Sequence, residues 1–69
     1  MTIKEMRQAH NLTQDALAEA VGCSRITIAR MEAGRSPATL KIMEGLSRAF
    51  GISVNEVIEA LKQTEDDRA

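Results

Sequence analysis

The chain contains almost no aromatic residues, a single cysteine and no long hydrophobic segment. Among its 69 residues there is one Phe and neither Trp nor Tyr, so the core has to be aliphatic and rich in methionine. One Cys cannot form an internal disulfide, and one Cys with one His gives no cluster of metal ligands. No apolar stretch approaches the length of a membrane span, and no secretory signal precedes the first helical pattern. We therefore expect a cytoplasmic protein that needs no cofactor.

The residues of an active site are also scarce. His10, Cys23 and scattered carboxylates place no nucleophile beside a base, and there is no glycine-rich phosphate loop. The sequence therefore predicts a protein that is not an enzyme. We interpret Cys23 as a small hydrophobic residue in a tight turn, with redox sensing as the alternative. We interpret His10 as a surface residue at the end of a helix, where a cation suits the dipole.

Length and composition indicate one small globular domain. With 43% apolar and 28% charged residues, the chain has the composition of a folded protein. A core of this size usually contributes only about 3–5 kcal/mol. The segment 62–69 has no apolar side chain except its terminal alanine. We expect a helical domain over residues 1–61 and a frayed, acidic tail over 62–69.

Two short helical patterns meet at residues 21–23. Thr13 is positioned to cap the first pattern, whose apolar residues then fall on one face. Gly22 can adopt the left-handed conformation that ends a helix, and Ser24 can cap the next helix two residues later. Two helices joined at a steep angle by so short a turn form a helix-turn-helix.

The second of these helices has an anchoring side and an exposed side. Ile28 and Met31 can fix it to the core, and the remaining surface carries arginines between small or apolar side chains. An α-helix fits the major groove of DNA, where Arg donates two hydrogen bonds to guanine and an apolar group contacts the thymine methyl. A solvated basic face is the alternative interpretation. The residues predicted to read bases are Arg25, Ile26, Ala29 and Arg30.

Many positions along the chain carry the residues of one known pattern. They are Ile3, Met6, Arg7, Leu12, Thr13, Gln14, Leu17, Ala18, Val21, Gly22, Ser24, Ile28, Glu32 and Gly34, followed by Pro37, Leu40, Met43, Leu46, Phe50, Gly51 and Ser53. This pattern resembles the Cro/C1-type, lambda-repressor-like helix-turn-helix family. Between Gly34 and Leu40 the chain is a residue longer than the common pattern.

The resemblance implies an all-α fold, a compact domain of five helices with the helix-turn-helix at helices two and three. It also implies a sequence-specific DNA-binding transcriptional regulator whose third helix enters the major groove. Such a protein would act as a homodimer on a palindromic operator, and we expect a repressor. A monomer would offer two arginines to a few base pairs, whereas a dimer doubles the contacts.

Contacts to DNA phosphates follow partly from the resemblance. It implies that Gln14 bonds a phosphate at the start of the second helix, where the positive end of the helix dipole adds to the contact. A solvated glutamine is the alternative. The other residues expected to contact phosphates are Thr13, Ser24, Thr27 and Arg35.

An ion pair between Arg7 and Glu32 is also implied. Arg7 lies beside the apolar edge of the first helix, four residues after Ile3, so we expect it to be half-buried and to need an anion. The resemblance implies Glu32 as that anion, because family members pair an arginine and a glutamate at these positions. The pair would fix the first helix against the third.

Caps and apolar spacing indicate the other helix starts. Residues 2–5 have the form of a capping box at the first helix. Ser36 and Pro37 are the expected start of the fourth helix, with Thr39 as a later alternative. The apolar residues of that helix, beginning at Leu40, recur at three- and four-residue steps and predict a face toward the core.

The fifth helix has an apolar stripe wider than one core contact requires. Either the whole stripe enters the core, or Val54 and Leu61 join a second copy of the chain. A protein-interaction module, such as the antitoxin of a toxin–antitoxin pair, is the alternative function.

The formal net charge of −1 is unevenly distributed. Residues 1–52 carry seven Lys or Arg against five acids, whereas residues 53–69 carry five acids against two basic residues. The acidic end could bind a basic protein partner, and it lies away from the expected DNA face. Because few cations remain to neutralise phosphates, we expect modest nonspecific affinity and a shallow salt dependence for a monomer.

Overall fold

The computed structural model describes residues 1–35 and 38–68. This part of the chain forms five helices, which are α1 (Ile3–Ala9), α2 (Gln14–Val21), α3 (Arg25–Glu32), α4 (Leu40–Phe50) and α5 (Val54–Arg68). The expected all-α architecture, with a helix-turn-helix at the second and third helices, is confirmed. None of the described helices is long and apolar enough to cross a membrane.

Hydroxyl side chains determine where the first four helices begin. Thr2, Thr13, Ser24 and Thr39 have extended backbone, and the hydroxyl of each accepts a hydrogen bond from the N–H three residues further on. At Thr2 the cap is reciprocal, because its N–H donates to the Glu5 carboxylate at 2.8 Å. This hydrogen bond lowers the pKa of Glu5 below its usual value. Each cap satisfies a donor that the first helical turn leaves unpaired.

The turn between α2 and α3 consists of residues 22–24 alone. Gly22 has a φ of +89°, in the left-handed region. Its N–H and that of Cys23 both bond the carbonyl of Ala18, at 2.8 and 3.0 Å. These bonds close α2 and let Ser24 cap α3 at once, as the sequence predicts.

The core is aliphatic, and every helix contributes to it. The fully buried side chains include one from each helix, namely Ile3, Leu17, Ile28, Leu46 and Val57. They belong to a single hydrophobic cluster. Burying a side chain of this size contributes about 1.5–3 kcal/mol, so each short helix is held by its tertiary contacts.

Gly45 allows α4 to approach α2 closely. A Cβ placed on this glycine would lie 2.8 Å from Cγ1 and 3.0 Å from the carbonyl oxygen of Val21. A glycine inside a helix costs about 1 kcal/mol relative to alanine, and the close contact explains why it is present. Because Val21 is the last residue of α2, this contact packs the helix-turn-helix closely against α4.

Helix α4 begins at the later of the two expected positions. Ser36 and Pro37, the expected cap and first helical residue, lie outside the described residues. Thr39 is the N-cap, and its hydroxyl accepts a hydrogen bond from the N–H of Ile42 at 3.3 Å.

The apolar stripe of α4 is buried only toward its end. Leu46 and Phe50 are buried and Met43 is half-buried, whereas Leu40 is 64% exposed. The expectation that Leu40 faces the core is therefore wrong. The first turn of α4 contacts the core through the half-buried Ile42 and Met43, and Leu40 faces away from it.

Helix α5 extends beyond residue 61 into the segment predicted to be an acidic tail. Helix α5 continues to Arg68, and Thr64 is 3% exposed. Its hydroxyl accepts a hydrogen bond from the N–H of Ile3 at 3.0 Å and donates one to the carbonyl of Ala60 at 2.8 Å. This part of α5 therefore supplies an acceptor to the first turn of α1, and fraying of the tail over 62–69 stays a prediction.

Candidate nucleic-acid interface

The outward side of α3 carries an isoleucine between arginines. Arg25, Ile26 and Arg30 are exposed, and Ala29 is half-buried. Ile26 is 55% exposed. The four residues predicted to read bases thus lie on accessible surface of one helix. Their chemistry is two guanidinium forks, which can bond guanine, and an apolar side chain, which can contact a thymine methyl.

The opposite side of α3 is packed into the core and bonded to α1. Ile28 and Met31 are buried in the core, and the last residue of the helix, Glu32, is bonded to α1. Side chains on a fixed element lose less conformational freedom when they bind. The exposed side of α3 is therefore presented in a defined orientation.

Arg7 and Glu32 meet in the ion pair that the resemblance implies. Nε of Arg7 donates to Oε2 of Glu32 at 2.7 Å, and Nη2 donates to Oε1 at 3.2 Å. The two side chains are 12% and 5% exposed. Nη1 of Arg7 also donates to the carbonyl of Leu12 at 2.8 Å. This arginine consequently ties together α1, the loop that follows it and α3.

Gln14 joins the same cluster, which the sequence analysis did not predict. Its Nε2 donates to Oε1 of Glu32 at 3.1 Å, and its side chain is half-buried. This bond orients the amide at the first residue of α2, where backbone N–H groups are unpaired. The amide keeps a second N–H for another acceptor such as a phosphate. The contact could have been sought at Glu32, because a carboxylate that is paired with one arginine can still accept further hydrogen bonds.

The hydroxyl residues at the two helix starts have structural partners. Thr13 accepts a hydrogen bond from the N–H of Ala16. Ser24 accepts one from the N–H of Thr27 at 3.2 Å, and the two hydroxyl oxygens lie 3.0 Å apart. Thr13 and Ser24 are exposed and Thr27 is half-buried, so these caps border solvent beside the start of α3.

A carboxylate lies beside the first arginine of α3, and this contact was also missed. Oδ1 of Asp15 is 3.7 Å from Nε of Arg25, and the side chains are 80% and 56% exposed. The pair spans the turn between α2 and α3. Neither residue belongs to an apolar pattern, so no periodicity indicated their proximity.

The remaining candidates lie in the loop after α3 and on α5. Arg35 is exposed in the loop after α3, where its N–H bonds the carbonyl of Arg30 at 2.9 Å. Val54 and Leu61 on α5 are half-buried, and Leu61 packs against the core. Part of the apolar stripe of α5 therefore remains accessible.

Cys23 and His10 have packing contacts. Cys23 is half-buried against the core, and burial raises the pKa of its thiol. A raised pKa disfavours the reactive thiolate, which suits the interpretation as a small hydrophobic residue. The exposed His10 ring lies 5.2 Å from the Phe50 ring, centroid to centroid. In the part of the chain that the structure describes, no group of His, Cys, Asp or Glu is arranged to hold a metal ion.

The sequence is similar to a known family and to several of its members. The profile described as "Helix-turn-helix" matches residues 3–57. An uncharacterised HTH-type transcriptional regulator of Methanothermobacter thermautotrophicus is 39% identical over 67 residues, which cover 97% of this chain and 93% of that protein. Another, from Methanocaldococcus jannaschii, is 36% identical over 55 residues, which cover 80% of this chain and 83% of that protein.

A more distant similarity concerns an antitoxin. Antitoxin PezA of Streptococcus pneumoniae is 32% identical over 56 residues, which cover 81% of this chain and 35% of the antitoxin. No solved structure matches the chain significantly.

Proposed function

The chain belongs to the Cro/C1-type helix-turn-helix family of DNA-binding transcriptional regulators, and from this premise we propose that it is a sequence-specific regulator acting in the cytoplasm. It binds a palindromic operator as a homodimer, with α3 in the major groove. It represses by occluding the promoter and performs no chemistry on the DNA.

One observation carries this proposal: an exposed isoleucine lies between arginines on a helix whose opposite side is buried. Ile26 is 55% exposed, although Ile28, two residues later, is 0% exposed. A solvated basic face does not require a large apolar side chain at its centre. A base-reading face can use one, because the thymine methyl is an apolar group in the major groove that such a side chain can contact.

The surroundings of α3 suit contacts to the phosphate backbone. The amide of Gln14 is held by Glu32 at the start of α2, where a helix N-terminus favours an anion. Such contacts fix the position of a protein on the duplex without reading sequence. We assign this role to Thr13, Gln14, Ser24, Thr27 and Arg35.

The size of α3 supports a dimer. Its eight residues extend for about 12 Å, which corresponds to a few base pairs and gives poor specificity in a large genome. Two copies related by a twofold axis would read half-sites about 34 Å apart. The accessible part of α5, which includes Val54 and borders Leu61, is the surface that we assign to the second copy.

Selection of bound duplexes from random DNA, together with sedimentation at the same protein concentration, tests the proposal. We expect a recovered site with two inverted halves and a complex containing two protein chains. Recovery of no preferred sequence, although the protein is folded, would contradict sequence-specific binding. A single half-site bound by one chain would contradict the dimer.

An antitoxin is the second candidate, and the similarity to antitoxin PezA favours it. The exposed acids of α5, Glu56, Glu59, Glu65 and Asp66, could bind a basic partner. Expression of the product of the neighbouring gene, alone and with this chain, tests this function. Growth arrest by the neighbour that this chain relieves would support an antitoxin, and unaffected growth would exclude the neighbour as a toxin.

A further inference from the structure

Asp15 occupies an unexpected place for an acid in a DNA-binding surface. It is the second residue of α2, directly after Gln14, and its Oδ1 lies 3.7 Å from Nε of Arg25. Within the described residues Arg25 has no other ion pair and no side-chain hydrogen bond. Arg25 belongs to the surface that we assign to DNA and Asp15 lies beside it, so the carboxylate would repel approaching phosphates.

Fold stability does not account for this ion pair. The two side chains are 56% and 80% exposed, and exposed pairs contribute only a little to stability because water screens them. An acid in the first turn of α2 also suits the helix dipole, but that effect does not require the proximity of Arg25. The position of the pair, which includes a residue assigned to base reading, instead favours an effect on binding.

We infer that Asp15 is a specificity-determining residue that restrains Arg25 from binding phosphates. This inference rests on the proposed function. A carboxylate and a phosphate both present anionic oxygens to a guanidinium. Asp15 therefore competes with the phosphates of the DNA for Arg25, whatever the base sequence. Guanine is uncharged and binds the terminal nitrogens through O6 and N7. Nε remains beside Asp15 while the terminal nitrogens bond guanine, so the base contact is kept and the phosphate contact is disfavoured.

Asp15→Asn tests the inference, because it removes the charge and keeps the size of the side chain. Binding is measured to the duplex recovered by selection and to a shuffled duplex of equal composition, each over a range of salt concentrations. We expect affinity for the shuffled duplex to rise roughly two- to fivefold and its log–log salt slope to steepen by about 0.9, the value for one added phosphate contact. Affinity for the selected duplex should rise less, so the specificity ratio falls.

Glu19→Gln is the matched control. Glu19 is exposed one turn further along α2 and forms no ion pair within the described residues, and its substitution changes the net charge equally. We expect the specificity ratio to stay near the parent value. Asp15→Asn should also have no effect on this ratio in an Arg25→Ala background, where no guanidinium is left to restrain.

Two results would overturn the inference alone. One is an equal change of the specificity ratio in Asp15→Asn and Glu19→Gln, and the other is an effect of Asp15→Asn that persists in the Arg25→Ala background. Urea unfolding of each variant separates binding from folding, since a purely structural role would move the unfolding midpoint and leave the salt slope unchanged. Failure of the folded parent to bind any duplex would overturn the proposed function as well.

Discussion

Glu32 links folding and the candidate interface through a single carboxylate. Oε2 accepts from Nε of Arg7, and Oε1 accepts from both Nη2 of Arg7 and Nε2 of Gln14. Removing two charges from water is unfavourable unless they are paired and hydrogen-bonded. Arg7 and Glu32 meet both conditions. Its loss would therefore disturb the anchoring of α3 and the orientation of Gln14 together.

Replacing either partner of this pair should destabilise the domain strongly. We expect Arg7→Met and Glu32→Gln each to lower the free energy of unfolding by about 3 kcal/mol, because the remaining partner stays buried without its counterpart. That loss is most of the stability of so small a core. Urea unfolding followed by circular dichroism measures it.

The chain contains a control ion pair with the opposite environment. Nζ of Lys62 lies 3.7 Å from Oε1 of Glu59, and the two side chains are 67% and 69% exposed. We expect Lys62→Ala to change the free energy of unfolding by less than about 1 kcal/mol. Equal unfolding midpoints for Arg7→Met and Lys62→Ala would contradict the structural importance of the buried pair.

Gln14→Ala should weaken binding to all sequences to the same extent. A lost hydrogen bond to a charged phosphate corresponds to about tenfold in affinity, and a phosphate contact carries no sequence information. Anisotropy titrations with the selected and the shuffled duplex measure the effect. Gln8→Ala is the control, since Gln8 is exposed on α1 and outside the interface. A change of base preference in Gln14→Ala would instead make Gln14 a reader of bases.

At the scale of helices, local signals were sufficient to predict most boundaries. The caps at Thr2, Thr13 and Ser24 and the turn at Gly22 depend on a few consecutive residues, and the structure has all of them. The role of Gly45 could not be predicted, because it depends on a contact with another helix. Two neighbouring cap signals competed at the start of α4, and the sequence alone could not decide between them.

Gly45→Ala should destabilise the domain although alanine is the better helix former. The added methyl group would lie 3.0 Å from the Val21 carbonyl oxygen, and such overpacking costs about 1–3 kcal/mol against about 1 kcal/mol gained in propensity. The expected net change is a lower urea midpoint. Glu44→Ala, an exposed change at the preceding residue, should leave the midpoint nearly unchanged. A Gly45→Ala variant more stable than the parent would contradict this prediction, because it would show that α2 can move away from α4 without a loss of stability.

At the scale of the molecule, the sequence indicated which face of α3 is exposed, and the resemblance implied the Arg7–Glu32 pair, but the other polar contacts between elements were not predicted. The face follows from helical periodicity, which a buried Ile28 and an exposed Ile26 express directly. The contacts of Gln14 with Glu32 and of Thr64 with Ile3 join polar groups 18 and 61 residues apart in the chain. Such contacts leave no periodic trace, so only the folded structure reveals them.

The hydrogen bond between Ile3 and Thr64, which joins α1 to α5, can be tested by substitution. Thr64→Val preserves the volume of a side chain that is 3% exposed but removes the acceptor of the Ile3 N–H. We expect a loss of about 1–3 kcal/mol in the free energy of unfolding, because a buried donor is left unsatisfied. Thr64→Ser keeps the hydroxyl and should lose less. Equal stability of the two variants would contradict the capping role of Thr64.

Protection of guanine N7 from dimethyl sulfate tests most directly whether α3 reads the major groove, since N7 is exposed only there. On the duplex recovered by selection, we predict that the parent protein protects guanines in each half-site and that Arg25→Ala restores the reactivity of a guanine in each. Unchanged N7 reactivity on binding, or a footprint that Arg25→Ala leaves intact, would contradict the assignment of α3 as the base-reading helix.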